Sequence, residues 1–307
     1  MRRILCLSLA GFLMACTPPL PRLVVFQAPQ VAPAIRKLAP DMEHTLGASL
    51  STEVAGSQTL CRMVTDLGRE CDLLLLADAE LYKSLAASQV RWRVEFAHDE
   101  MVLGLGIRAR RVDEAERDWA SVVALPDIVL ARVNEDLGPV GYRTLLLWRL
   151  WELQGHPGFF DRLKSRDMRL AEHAEQLAAW LKSGDAEYAF LYRTTCQAHE
   201  IRYLRLPPEV NLGSPGQAYD RAEVNFTAWS GGRKTIRTVR GRLITCGAAI
   251  PVQAPHPALA ATALRYIFKE HLEAFSEMGF TVIAPRFYGP QEDHQIAAPW
   301  TEWGGEF

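Results

Sequence analysis

Apolar positions in this 307-residue chain follow two patterns, short continuous runs and stripes that return every three to four residues. Leu23-Val24-Val25-Phe26, bounded by prolines, reads as a buried strand. Val31, Ile35, Leu38 and Met42 share a helical face and predict a helix over residues 31–46. Residues 51–54 predict a second strand, and Gly56-Ser57 opens a helix through Leu60, Val64 and Leu67 that Gly68 stops. Residues 72–77 form an apolar run of the kind buried on both faces of a sheet, followed by a helix over 79–88. Residues 94–96 and 101–103 read as one long strand or two joined ones. Helices over 113–124, 142–154 and 167–182 alternate with strands at 128–130 and 188–192. Trp148 and Trp151 in the second of these helices read as core residues. Strands at 224–228 and 243–250 flank Gly231-Gly232, residues 257–278 predict the last long helix, and 291–307 read as a loose polar tail. Strand–helix alternation of this kind predicts an α/β fold.

Composition keeps that class and removes others. The chain is 49% hydrophobic and 23% charged, ordinary for a globular protein of one large domain or two. A net charge of −2 excludes a strongly basic nucleic-acid binder. Cys61, Cys71, Cys196 and Cys246 lack Cys-x-x-Cys spacing, so no thiolate metal site is expected. Bridges joining Cys61 to Cys71 and Cys196 to Cys246, or four free buried thiols, are the two readings of these cysteines. No Walker-type loop, Gly-x-Ser-x-Gly elbow or His-Glu-x-x-His motif is present, and no cofactor is expected. An enzyme built on Ser57 and His98 is therefore the third reading, behind two non-enzymatic ones.

The first residues say where the protein works. Arg2-Arg3, an apolar stretch from Ile4 to Met14 and the small residue Ala15 have the order of a signal peptide, and the stretch is short for a bilayer span. Leu13-Met14-Ala15-Cys16 resembles the lipobox of bacterial lipoproteins. That resemblance implies removal of residues 1–15, lipidation of Cys16 and a lipid-anchored extracytoplasmic protein. Residues 16–22 then form a tether stiffened by Pro18, Pro19 and Pro21.

A second resemblance spans nearly the whole remaining chain. It runs through Val24-Val25-Phe26, Glu53-Val54-Ala55-Gly56-Ser57-Gln58, Asp72, Ala77-Asp78 and Phe96-Ala97-His98-Asp99-Glu100-Met101-Val102-Leu103. Asp136-Leu137-Gly138-Pro139-Val140-Gly141-Tyr142-Arg143-Thr144-Leu145 follows, and is the most specific segment. Tyr188-Ala189-Phe190-Leu191-Tyr192, Leu206-Pro207, Val210-Asn211-Leu212 and Gly247-Ala248-Ala249-Ile250-Pro251 complete the series in order. These segments resemble the periplasmic molybdate/tungstate-binding proteins of ABC transporters, in particular the archaeal-type group. The resemblance implies a two-lobe α/β periplasmic-binding-protein fold of type II, with two crossover strands as hinge near 96–103 and 243–250. The first lobe would take residues 23–99 plus 251–290, and the second residues 100–250.

In such a fold the ligand would sit where strand-to-helix junctions converge, since the first turn of a helix offers unpaired N–H groups and a positive dipole end. Junctions at 28–31, 55–58 and 139–143 are expected to face the cleft. Gln30, Ser57, Asn134, the N–H groups of Gly141 and Tyr142, and Tyr219 are the expected ligand-binding residues, with no metal ligand among them. Ser57 has a second reading as a plain helix cap, and Tyr219 as a core or surface residue. Several positions depart from the family pattern. Pro29-Gln30 replaces Gly-Ser and deletes a backbone donor. Asn134 and Gly138 stand where the family has aspartates, and Leu191 where it has a glutamate. Loss of these carboxylates favours a purely hydrogen-bonded tetrahedral anion, unless Glu135 or Asp136 turns inward and restores acidic coordination. His98 and Asp99 read first as polar hinge groups and second as ligand contacts.

The expected function is capture of a small oxyanion, molybdate or tungstate by resemblance, by a monomeric receptor that passes it to an ABC permease and touches the membrane only through its lipid. The alternative is a lipoprotein of the same fold whose site has diverged toward sensing or envelope interactions.

Overall fold

The computed structural model describes residues 20–230 and 233–306. The segment read as a signal peptide, the lipobox-like run with Cys16, and Gly231-Gly232 therefore lie outside the described residues. Fourteen strands are present among those described: β1 Arg22–Gln27, β2 Ser49–Val54, β3 Leu73–Leu76, β4 Arg93–Asp99, β5 Met101–Leu105, β6 Leu130–Val133, β7 Arg169–Ala171, β8 Tyr188–Tyr192, β9 Tyr203–Arg205, β10 Glu223–Ser230, β11 Arg233–Arg240, β12 Ile244–Ala249, β13 Thr281–Tyr288 and β14 Glu302–Gly305.

They build two main sheets. The larger has the order β14-β13-β4-β12-β3-β1-β2 and the smaller β7-β6-β8-β5-β9, while β10 and β11 form a separate antiparallel ribbon. The apolar runs explain the centres. Leu73 to Leu76 are all buried, and so are all five residues of β8, because helices cover both faces of each sheet. The larger sheet has a core on each side, one around Phe96, Phe268 and Phe275 and one around Phe26, Leu60 and Tyr82. The smaller sheet packs around Trp148, Phe190 and Trp119. Asp72 ties three segments of the larger lobe together: its carboxylate accepts from the Val24 N–H at 2.8 Å and from the His256 N–H at 2.7 Å.

The chain crosses between the sheets twice. One crossing is the single step from β4 to β5 at Asp99 and Glu100, and the other lies just before β12. The stretch read as one strand or two is thus two strands in different sheets. β12, assigned from sequence to the end of the second lobe, lies in the middle of the larger sheet between β3 and β4. The crossing is a dense polar knot. Asp99 accepts from the Thr194 hydroxyl and from the Glu100 N–H at 2.8 Å, and Glu100 pairs with Arg193 at 3.0 Å and Arg205 at 2.7 Å. His98 Nδ1 lies 3.2 Å from the Thr245 hydroxyl, joining the two crossing segments, and burial pushes its pKa down.

Several elements differ from the sequence reading. Residues 167–182 form no single helix: β7 pairs with β6 at the sheet edge and a helix, Ala174–Ser183, starts after the His173 cap. The helix read over 113–124 breaks at Asp118, whose side chain accepts from the Ser121 N–H and starts Trp119–Val123. Residues 79–88 contain only the tight helical turn Ala79–Ser84. The last helix is interrupted by a wide turn at Tyr266–Glu270. β13 was not read from the sequence; its register with β4 shifts between Val282 and Arg286, around Pro285, which cannot donate to a ladder. β11 was also missed, because residues 235–238 are exposed and carry no apolar alternation. The stretch read as a loose tail carries a helical turn at Gln291–Ile296 and pairs β14 with β13. All four described cysteines are buried and unpaired, so neither expected bridge is present.

Candidate functional site

The lobes meet at an ion pair between Asp78, just past β3, and Arg143, near the start of a long helix. Asp78 follows β3 at the C-terminal edge of the larger sheet, the edge where open α/β sheets bind ligands. Opposite it stands the first turn of the Pro139–Leu153 helix from the smaller lobe, started by Pro139 after the extended Gly138. Asp78 Oδ2 accepts from the Tyr142 hydroxyl at 2.7 Å and from Arg143 Nη2 at 2.7 Å. Its other oxygen accepts from the Glu80 N–H at 3.2 Å. Asp78 and Arg143 are only 2% and 3% exposed, so the pair is shielded from water and from salt.

Electrostatics at this junction follow from burial and from that one carboxylate. Burial by itself lowers the Arg143 pKa, but Asp78, with smaller help from Tyr192 and Tyr142, raises it overall. The Tyr142 phenol is pushed well up, first by burial and then by the Asp78 charge. Tyr192, at the end of β8, is buried, and burial raises its phenol while the charges of Arg143, Asp78 and Asp99 act on it. Its hydroxyl has no hydrogen-bond partner, and neither does Arg143 Nε. Buried polar atoms are nearly always paired, so two orphans beside an ion pair mark a place built for something more.

Of the expected ligand residues, the structure brings Ser57 and Tyr142 together. Ser57 Oγ accepts from the Ala77 N–H at 3.1 Å, one residue from Asp78, and keeps its hydroxyl proton for another acceptor. Ser57 is not the helix cap; Gly56 is. Tyr142 reaches the junction through its hydroxyl rather than its backbone. The Gly141 N–H is already bonded to the Gly138 carbonyl at 3.0 Å and is not left for a ligand. At the first junction the N–H groups of Ala28, Val31 and Ala32 are likewise bonded, to Leu75, Ala28 and Ala28 carbonyls, and Gln30 lies half-buried in that turn. Asn134 turns away: its side chain accepts from the Asp136 N–H at 2.9 Å and shapes the loop. Tyr219 is tied within its lobe, its hydroxyl bonded to the Pro208 carbonyl at 2.5 Å and to Asn211 Oδ1 at 2.8 Å, and it also lines the cavity beside the junction.

Acidic coordination is not restored. Glu135 is held by Arg132 at 2.5 Å and by Lys164, and Asp136 accepts from the Thr227 N–H at 2.6 Å. Sequence reasoning missed Asp78, Arg143 and Tyr192 as cleft residues. Position gave the signal for two of them, since Asp78 lies two residues past β3 and Tyr192 ends β8, strands whose every residue is buried. A cavity of about 540 Å³ lies alongside, lined by Glu80, Glu95, Asp220, Arg242 and Thr245 among others. Three carboxyl groups against one guanidinium suit an anion poorly, although burial raises the Glu95 pKa and so weakens its charge. Among the described residues no group of three or more His, Cys, Asp or Glu side chains is placed to hold a metal, and no helix is long and apolar enough to cross a membrane.

Comparison with known proteins fits this architecture. The periplasmic molybdate-binding protein of Azotobacter vinelandii superposes with a TM-score of 0.60 at 15% identity, over 85% of this chain and 99% of that one. The sulfate-binding protein SubI of Mycobacterium tuberculosis gives 0.57 at 13% identity, over 94% of each chain. These likenesses establish the two-lobe type II fold. In sequence, the chain is 30% identical to a putative ABC transporter molybdenum-binding protein of Haloferax volcanii, over 83% of this chain and 81% of that one. It is 24% identical to the molybdate/tungstate-binding protein WtpA of Pyrococcus abyssi, over 81% and 80%. The pattern of the family described as bacterial extracellular solute-binding protein matches residues 23–281. This chain belongs to that family of solute-binding proteins, whose members bind solutes rather than convert them.

Proposed function

We propose that this protein is a lipid-anchored, extracytoplasmic, monomeric receptor that captures a small oxyanion in the interlobe cleft and delivers it to an ABC permease. The observation that carries the reading is the Asp78 carboxylate held by Tyr142 and Arg143, with Ser57 bonded to the adjacent residue and Tyr192 nearby. A carboxylate is itself a small oxyanion, so the donor set at this junction has the chemistry such a ligand needs. The names of the relatives support molybdate or tungstate as the ligand and an importer as the partner. The lipobox at Leu13-Met14-Ala15-Cys16 supports the anchor, which keeps a receptor beside its permease while leaving the lobes free to move.

The second reading is a lipoprotein of the same fold that no longer binds an oxyanion. It is favoured by one observation: the cleft holds its own ion pair and lacks the family's acidic residues at 134, 138 and 191. Titration calorimetry with tungstate, molybdate, sulfate and phosphate separates the two. The receptor reading expects saturable heat and a thermal shift with at least one of them. Silence from all four removes it in favour of the second. Cys16→Ser is expected to move the protein from the membrane fraction to the soluble fraction, and unchanged fractionation removes the lipid anchor.

A further inference from the structure

The anion seat in this cleft is already taken by the protein itself. Asp78 comes from the larger lobe and enters the first turn of a 15-residue helix of the smaller lobe, where the dipole and the Arg143 guanidinium both favour negative charge. It accepts one hydrogen bond from each of two consecutive side chains there, both at 2.7 Å. The donors around it are nevertheless not all engaged. Arg143 Nε and the Tyr192 hydroxyl are buried without partners, and the Ser57 hydroxyl proton remains to be donated. A carboxylate with two oxygens, one of them bonded to the Glu80 N–H, cannot reach every donor, whereas a tetrahedral anion has four oxygens to offer.

We propose that Asp78 is the specificity-determining residue of the cleft, an internal anion that holds the lobes together without ligand and that an incoming oxyanion must displace from Arg143 and Tyr142. This rests on the reading of the cleft as an oxyanion site. Displacement explains the orphaned donors: they belong to the ligand-bound arrangement. It also makes Asp78 a filter. An anion that engages Arg143 Nε, Tyr192 and Ser57 together outcompetes the carboxylate, and a weaker one meets its negative charge. Asp78 thereby sets the threshold of affinity, while Arg143 supplies the attraction.

The test is tungstate and phosphate titration of the purified full chain and of Asp78→Asn, which keeps an acceptor oxygen but removes the charge. Asp78→Asn is expected to bind at least tenfold more tightly than the unaltered chain, and Arg143→Gln placed on top of it to abolish that gain. A residue that merely supports the fold would lower affinity, not raise it. Equal or weaker binding by Asp78→Asn overturns the proposal and leaves the receptor reading intact if the unaltered chain binds. Binding by Asp78→Asn alone shows that no oxyanion displaces the carboxylate in the unaltered chain, and it overturns both the proposal and the receptor reading, as does binding by neither. Should Asp78→Asn fail to fold, a crystal of the unaltered chain soaked in tungstate decides by tungsten anomalous scattering. The metal centre is expected within hydrogen-bonding reach of Arg143 with Asp78 turned out. Tungsten elsewhere with the ion pair intact, or no tungsten, overturns the proposal.

Discussion

Gly141→Ala tests whether the close approach of the Pro139–Leu153 helix to the loop before it is what sets the cleft. A Cβ at residue 141 would stand 2.5 Å from the Asn134 carbonyl oxygen, 2.6 Å from its carbon and 2.7 Å from Glu135 Cα. All three are backbone atoms, so no side-chain rotation relieves the contact. Ordinary contact begins at 3.4 Å, which requires helix and loop to part by about 0.9 Å. Overpacking of this kind costs about 1–3 kcal/mol. The better helix propensity of alanine offsets at most about 1 kcal/mol. At full offset the net loss is up to about 2 kcal/mol, which lowers the thermal midpoint by up to roughly 8 °C. The same displacement moves Tyr142 and Arg143, which sit on the same helix, and strains the 2.7 Å bonds they make to Asp78. Thermal unfolding followed by circular dichroism reads the loss, with Gly56→Ala as control because nothing lies within 4 Å of a Cβ there. A Gly141→Ala protein as stable as Gly56→Ala would refute the reasoning.

Two further predictions concern the buried titratable groups. Burial raises the Asp99 carboxyl from 3.8 to about 6, against hydrogen bonds from Thr194 and Glu100 that lower it. The folded state then holds a proton that the unfolded state has released, so stability falls as pH rises from about 4 to 6, by roughly 3 kcal/mol in all. Asp99→Asn is expected to flatten that part of the stability profile measured in urea, and an unchanged slope would show that Asp99 does not titrate there. Burial also pushes the Cys61 and Cys71 thiols up to about 12, and raises Cys196 and Cys246 too. In protein lacking residues 1–16, all four should resist a thiol reagent when folded and react in urea; fewer than four reactive thiols in urea would reveal a bridge.

The sequence by itself determined the layered α/β class and the order of its central elements. Continuous apolar runs such as Leu73 to Leu76 have no stable place except inside a sheet covered on both faces, and a four-residue run needs no tertiary information to say so. It also determined two of the junctions that meet in the cleft, because Gly56-Ser57 and Pro139 are start signals written in local chemistry. Elements stabilised mainly by their neighbours were not legible. β11 and β14 have little buried surface of their own, and β13 carries a proline, so only pairing with β10, β13 and β4 makes them strands. The site divided along the same line. Ser57 and Tyr142 were readable from the junctions they occupy, whereas Asn134 and Tyr219 bond within their own lobe. What only the tertiary structure decided is the meeting of Asp78 with Arg143, 65 residues apart in sequence and in different lobes. No local pattern encodes that pair, because its energy comes from enclosing two opposite charges at a junction that exists only once both lobes have folded.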